Sequence, residues 1–291
     1  MQSVAGGKIP SAVRNTRRRR RKMIVIGERI NASNASVGDA IAKRDSEFIR
    51  RLALDQVDAG ADFIDVNSGV AYDGSEEVTA AMEWLVDVVQ SATDRPLSID
   101  SGSPEVIQAG INKYRGDKLM INSVTAEPQT LDSIGTLAVQ NQAWLVALAM
   151  GNDGIPQTVE ERLEACDMIM DHLCRLGVKN EQIYLDPLVL PVAVYCDQGP
   201  VTLETLWQIK SRYPGTRTVL GLSNISWGLP GRKPINRAFL AAAICLGLDA
   251  AILNPLDRKL MSFIIVAETL AGRDNDCRRY MRAYRRGMIP D

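Results

Sequence analysis

Short apolar runs in this chain end repeatedly in a carboxylate or a carboxamide. "DFIDVN" ends in Asp65 and Asn67, "LSID" in Asp100, "LMIN" in Asn122, "IYLD" in Asp186 and "TVLGLSN" in Asn224. Asn31, Met150 and Asn254 stand at the corresponding ends of three further runs. An acid or amide at the edge of a core is costly unless something hydrogen-bonds to it. Carboxylates only accept, so a ligand that satisfies them must donate. A flat heterocycle with a guanidine-like edge presents two parallel N–H groups, and amides suit its carbonyl and remaining nitrogens. Taken singly, each residue reads equally well as a turn former or helix cap, as Ser103 ahead of Pro104 does. As a set they describe a small, polar, planar ligand.

Other chemistries are poorly served. The one histidine, His172, lies in the helical stretch "ERLEACDMIMDHLCRLG" and reads as an ordinary helix residue. The five cysteines, Cys166, Cys174, Cys196, Cys245 and Cys277, are scattered without a C-x-x-C pair and read as buried thiols. No metal site is expected.

Eight β-rich runs position the polar ends: "MIVIGERIN", "DFIDVNSG", "LSIDS", "LMINSVT", "AWLVALAM", "IYLDPL", "TVLGLSN" and "AAILNP". Between them lie segments of helical spacing. In "SEEVTAAMEWLVDVVQSA", Val78, Met82, Leu85, Val86 and Val89 recur at three- and four-residue steps. Eight such alternations predict an α/β fold, a single-domain (β/α)8 TIM barrel, over an open doubly wound sheet, because closure leaves no strand edge. No glycine-rich nucleotide motif follows the first run, which weakens the open-sheet alternative. In a barrel the strand C-termini converge, so polar ends spread over two hundred positions face one mouth.

Hydrophobic residues make up 46% of the 291 and charged residues 24%, enough for a large core. Eight of the 34 Lys and Arg residues stand in the first 22 positions, which hold no acid, so the body from Met23 to Asp291 carries about −9. That is a poor surface for nucleic acid. Residues 1–22 read as a basic, disordered tail outside the fold. No run approaches a membrane span or a signal core, and a cytoplasmic protein is expected.

The motifs "IGERIN", "IDVNSG", "MINS", "YLDPLVLP", "TVLGLSNIS" and "PINRAFLA" follow one another from Met23 to about Leu270. In that order the chain resembles the pterin-binding methyltransferases that move a methyl group between methyltetrahydrofolate and a corrinoid protein. It is similar also to the folate module of cobalamin-dependent methionine synthase and, more distantly, to dihydropteroate synthase. The resemblance implies that Asp100, Asn122 and Asp186 hold the pterin edge and that Asp65 and Asn67 support them. It implies that Ser223 joins the ligand contacts and that Asn224 approaches nitrogen-5, which bears the methyl group.

The same resemblance implies tetrahydrofolate or methyltetrahydrofolate as substrate, cobalamin carried by a separate corrinoid protein, and a homodimer. A D-x-H-x-x-G cobalt-ligating motif fails at His172, where Arg175 replaces the glycine, so the corrinoid is expected on a partner. Where the family often has a glutamine-like residue, this chain has Trp227, read either as packing or as contact with the corrinoid or ligand ring. Arg232 and Lys233 read either as steering the folate tail or partner, or as a solvated loop. A dihydropteroate synthase-like enzyme and a non-catalytic folate-binding subunit stand as alternatives.

Overall fold

The computed structural model describes residues 22–69, 76–151 and 154–289. Nearly all of the basic tail, residues 1–21, lies outside the described residues. Eight parallel strands carry the fold: β1 (Ile24–Asn31), β2 (Phe63–Asn67), β3 (Leu97–Asp100), β4 (Met120–Val124), β5 (Trp144–Leu148), β6 (Ile183–Asp186), β7 (Arg217–Thr218) and β8 (Ala250–Leu253). Helices α1 (Ala35–Ala42) and α2 (Ser46–Asp58) follow β1. Then α3 (Glu76–Ala92), α4 (Pro104–Lys113), α5 (Pro128–Gln140), α6 (Val159–Leu176), α7 (Gln198–Arg212), α8 (Arg232–Leu246) and α9 (Arg258–Leu270) follow β2 to β8 in turn. A last helix, α10 (Arg278–Arg285), comes after α9.

Strands pair in chain order from β1 to β7, and β8 pairs back onto β1. The ring closes where Ile252 N donates to Leu220 O at 2.9 Å and Gly221 bridges Ile252. This is the expected (β/α)8 barrel in a single domain. The predicted helix over residues 75–92 buries Met82, Leu85, Val86 and Val89 against the strands. Ser103 caps α4 as expected, its Oγ accepting from Val106 N.

Inside the ring, Ile26, Phe63, Met120, Val146, Tyr184, Val219 and Ala250 pack into one apolar plug. Side chains alternate along a strand, so residues two positions on share a face. The residues two beyond Ile26, Phe63, Met120 and Tyr184 are Glu28, Asp65, Asn122 and Asp186. On β1, β2, β4 and β6 the inward face therefore runs from apolar in the barrel's middle to polar at its C-terminal mouth.

The first strand shows how local sequence serves this plan. The register slips between Gly27 and Ile30, a bulge that leaves Arg29 N outside the strand pairing. Gln56 of α2, fully buried, accepts from that N–H at 2.9 Å. A Cβ on Gly27 would stand 2.5 Å from Gln56 Oε1, so only glycine admits the amide.

Three expectations are corrected. The seventh run is not strand to its end: pairing stops at Thr218, and Leu222–Ser226 form a 3-10 turn that carries Ser223 and Asn224. Only Cys166 among the five cysteines is buried, the other four lying on outward or loop positions. Trp227 is 60% exposed and so is not a packing residue. His172 is the ordinary helix residue expected, its Nε2 2.7 Å from Asp132 Oδ1 between α6 and α5. Among the described residues, no helix is long and apolar enough to cross a membrane.

Gly27→Val tests the bulge. Overpacking and an orphaned Arg29 N–H together should lower stability by about 2–4 kcal/mol, seen as a clearly depressed Tm by calorimetry. An unchanged Tm would show that Gln56 does not hold the bulge.

Candidate active site at the barrel mouth

Asp65 and Asp100 form the deepest part of the mouth. Asp65 Oδ1 accepts from Ser98 Oγ at 2.6 Å and from Asn122 Nδ2 at 3.3 Å. Asp100 Oδ2 accepts from Asn67 Nδ2 at 2.9 Å, while Asn67 Oδ1 takes Gly69 N at 2.9 Å. Burial pushes the Asp65 carboxyl well above its ordinary range, and the neighbouring Asp100 charge pushes it further, against the bonds from Ser98 and Asn122. Asp100 is raised by burial too, and bonds from Asn67 and Asp65 oppose the shift. Among the described residues no Lys or Arg forms an ion pair with either acid. Both acids therefore bind a proton more tightly than a free carboxyl does, and a cationic or donor-rich ligand would favour their ionised, accepting form.

Asp186, at the end of β6, is a further buried acid at the mouth. Its Oδ1 accepts from Leu188 N at 2.8 Å. Burial raises its pKa to about 7, opposed by the amides of Leu188 and Gly221 and by the charge of Arg162. Arg162, on α6, is fully buried. Burial lowers its pKa to about 10, which leaves it a cation at neutral pH. Sequence reasoning missed this residue, although it falls on the apolar stripe Arg162, Cys166, Ile169, Leu173 of α6, where a charge is out of place.

The 3-10 turn hangs over the mouth. Ser223 Oγ donates to Glu28 Oε1 at 2.7 Å, joining the turn to the bulged strand β1. Burial raises the Glu28 carboxyl, opposed by Ser223 and by the charges of Arg29 and Arg232. Arg232, at the start of α8, donates through Nε to Ser226 Oγ at 3.0 Å and through its other arm to Ser223 O. It therefore braces the turn rather than lying free in a solvated loop. Asn224 is exposed, and among the described residues its carboxamide has no hydrogen-bond partner, unlike every other acid or amide of the set.

The structure thus brings Asp65, Asn67, Asp100 and Asn122 into one bonded cluster. Asp186 stands at the end of β6, across β5 from Asn122, and Ser223 and Asn224 sit on the 3-10 turn after β7. Asn31 and Asn254 do not join them: Asn31 Oδ1 takes Ser33 N at 2.9 Å and Asn254 Oδ1 takes Leu256 N at 3.1 Å, so both are local turn formers. Glu28 and Ser98 were missed. Both were legible in strand alternation, since Glu28 follows Ile26 by two and Ser98 precedes Asp100 by two. Among the described residues, no group of three His, Cys, Asp or Glu side chains is disposed to hold a metal ion.

Comparison with known proteins gives the family. The family model described as pterin binding enzyme matches residues 27–254. A methylcorrinoid:tetrahydrofolate methyltransferase of Eubacterium limosum is 35% identical over 269 residues, covering 92% of this chain and 98% of that protein. Methionine synthase of Mycobacterium tuberculosis is 32% identical over 246 residues, 80% of this chain but 20% of that longer protein. A dihydropteroate synthase of Coxiella burnetii, solved with pteroic acid, superposes with a TM-score of 0.65 at 14% identity, over 87% of this chain and 95% of that one. The last likeness is one of fold alone. The chain belongs to the pterin-binding enzyme family.

Asp65→Asn tests the electrostatics of the pair. The amide can still accept from Ser98 and Asn122, and it removes a buried charge beside Asp100. A raised folded pKa means that Asp65 binds a proton more tightly in the folded state, so its penalty sets in as pH rises above about 4 and grows through its folded pKa. The variant should therefore have a higher Tm than the parent at neutral pH, with the difference closing as pH falls towards 4. A lower Tm at neutral pH would contradict the shift.

Proposed function

We propose that this chain is a methyltransferase that moves a methyl group between nitrogen-5 of methyltetrahydrofolate and the cobalt of a corrinoid held by a separate protein. The observation that carries this reading is the end-to-end match, at 35% identity, to a methylcorrinoid:tetrahydrofolate methyltransferase. The chemistry of the mouth supports it. In this reading Asp100, Asn122 and Asp186 accept from and donate to the aminopyrimidinone edge of the pterin, and Asp65 and Asn67 orient Asp100 and Asn122. A ring edge with two N–H donors is a partner suited to carboxylates that have no ion-paired cation.

Asn224 then acts at nitrogen-5. When the methyl group leaves the folate, the C–N bond electrons stay on nitrogen-5, which takes up a proton so that an amine departs rather than an amide anion. In the opposite direction nitrogen-5 gives up that proton as its lone pair forms the bond to the methyl carbon. A carboxamide both donates and accepts, so a turn of Asn224 serves either protonation state without itself titrating. Its lack of an internal partner leaves it free to do so. Ser223 and Arg232 position the turn that carries it, and Trp227 stands exposed beside it.

Nothing in the site favours dihydropteroate synthase: the stretch from Asp186 to Asp197 contains no basic residue to meet a pyrophosphate leaving group. A binding subunit without turnover is separated by assay. With methyltetrahydrofolate and a photoreduced corrinoid, the Co(I) absorption band should decay to that of methylcobalt, and Asn224→Ala should slow the decay roughly 10²-fold with folate affinity little changed. Tight folate binding with no decay in either direction would sink the enzyme reading. An unimpaired Asn224→Ala rate would remove that residue from the chemistry.

A further inference from the structure

We propose that Arg162 is a positioning residue for ligand binding: with Thr202 it clamps the left-handed turn at Leu188 and so holds the Asp186 carboxylate in place at the mouth. The inference rests on the reading of Asp186 as a pterin contact.

Leu188 has a φ of 63°, a conformation that suits glycine and that strains a branched side chain. That conformation turns Leu188 N back onto Asp186 Oδ1. The carbonyls on both sides of the strained residue are held. Pro187 O accepts from Arg162 Nη1 at 3.0 Å, and Leu188 O accepts from Thr202 Oγ1 at 3.1 Å. Thr202 Oγ1 in turn accepts from the same Nη1 at 3.1 Å. The second arm, Nη2, donates to Gln198 Oε1 and to Pro156 O, at 3.4 Å for the latter. One guanidinium thus ties the loop after β6 to the start of α7 and to the loop before α6.

A fully buried arginine with no carboxylate in contact is an expensive pin, since an apolar side chain of similar size would pack there without losing hydration. Its retention makes sense if the charge itself is used. Among the described residues Arg162 is the one cation whose field reaches Asp186, and it favours the ionised, accepting form. The other groups on that side do not compete. Cys166, one turn along α6, is kept a neutral thiol by burial. The strands flanking β6 present Leu148 and Val219 to Gly221, none of which titrates. Glu161 and Asp197 act on Arg162 rather than on Asp186.

The test is the dissociation constant for methyltetrahydrofolate, measured by titration calorimetry across pH. Arg162→Met should weaken binding about ten- to a hundredfold at neutral pH, and should move the pH needed for half-maximal affinity upward, because Asp186 loses the charge that keeps it ionised. Thr202→Val removes the bond to Leu188 O and the one from Arg162 Nη1 without emptying the arginine's site, and should weaken binding in the same direction if Arg162→Met does not fold. Leu188→Gly adopts the left-handed turn freely, so adding it to either variant should restore much of the affinity. A folded variant with parental affinity and pH profile would overturn the clamp, as would a loss that Leu188→Gly leaves unrepaired. Asp186→Asn separates the two levels: unchanged affinity there would overturn the ligand-contact reading of Asp186 itself.

Discussion

Two carboxylates, buried Asp65 and half-buried Asp100, meet at the end of an apolar plug, held by hydroxyl and amide donors and by each other, with no ion-paired cation among the described residues. Such a pair opposes folding at neutral pH. A chain that optimised stability would replace it with neutral or apolar residues, so its presence points to a ligand that supplies the missing donors. Ser98, Asn67 and Asn122 satisfy part of the demand and orient the rest. The resulting cluster is rich in acceptors and closed below by packed side chains.

The scaffold is arranged around that requirement. On β1, β2, β4 and β6 the inward face carries an apolar residue and then, two positions on, a polar one, so the plug lies beneath the acids. Gly27 admits Gln56, whose amide takes the free N–H of the bulge beside Glu28. Glu28 in turn receives Ser223, and Arg232 braces the same turn from α8. The exposed Asn224 is therefore held by three elements, although its own carboxamide is unpartnered. Rigid support for the backbone and freedom for the side chain are what a group serving two protonation states needs.

Much of this was legible in the residues. The barrel follows from eight alternations, and five of the strand-end polar residues do converge. Less legible were features that depend on contacts distant in sequence. The end of β7 reads as strand because Val219, Leu220 and Leu222 are apolar, yet the chain turns there because only Leu220 and Gly221 meet β8 to close the ring. Asn31 and Asn254 share the pattern of the site residues but bond within their own turns, a distinction that composition does not carry. Four cysteines were misjudged because a thiol's low polarity says little about which helix face it occupies. Arg162 and Glu28 stood in plain view as charges on apolar stripes.

In this site acids with raised pKa values release a proton to solvent when a donor-rich ring binds against them. The most direct measurement of that release is the number of protons exchanged when methyltetrahydrofolate binds, obtained by calorimetry near neutral pH in buffers of different ionisation heat, for the parent protein and for Asp65→Asn. The parent is predicted to release more protons than the variant, whose amide has none to give. Equal proton counts in the two proteins would contradict the account, because the ligand would then be meeting acids that were already ionised or were not touched at all.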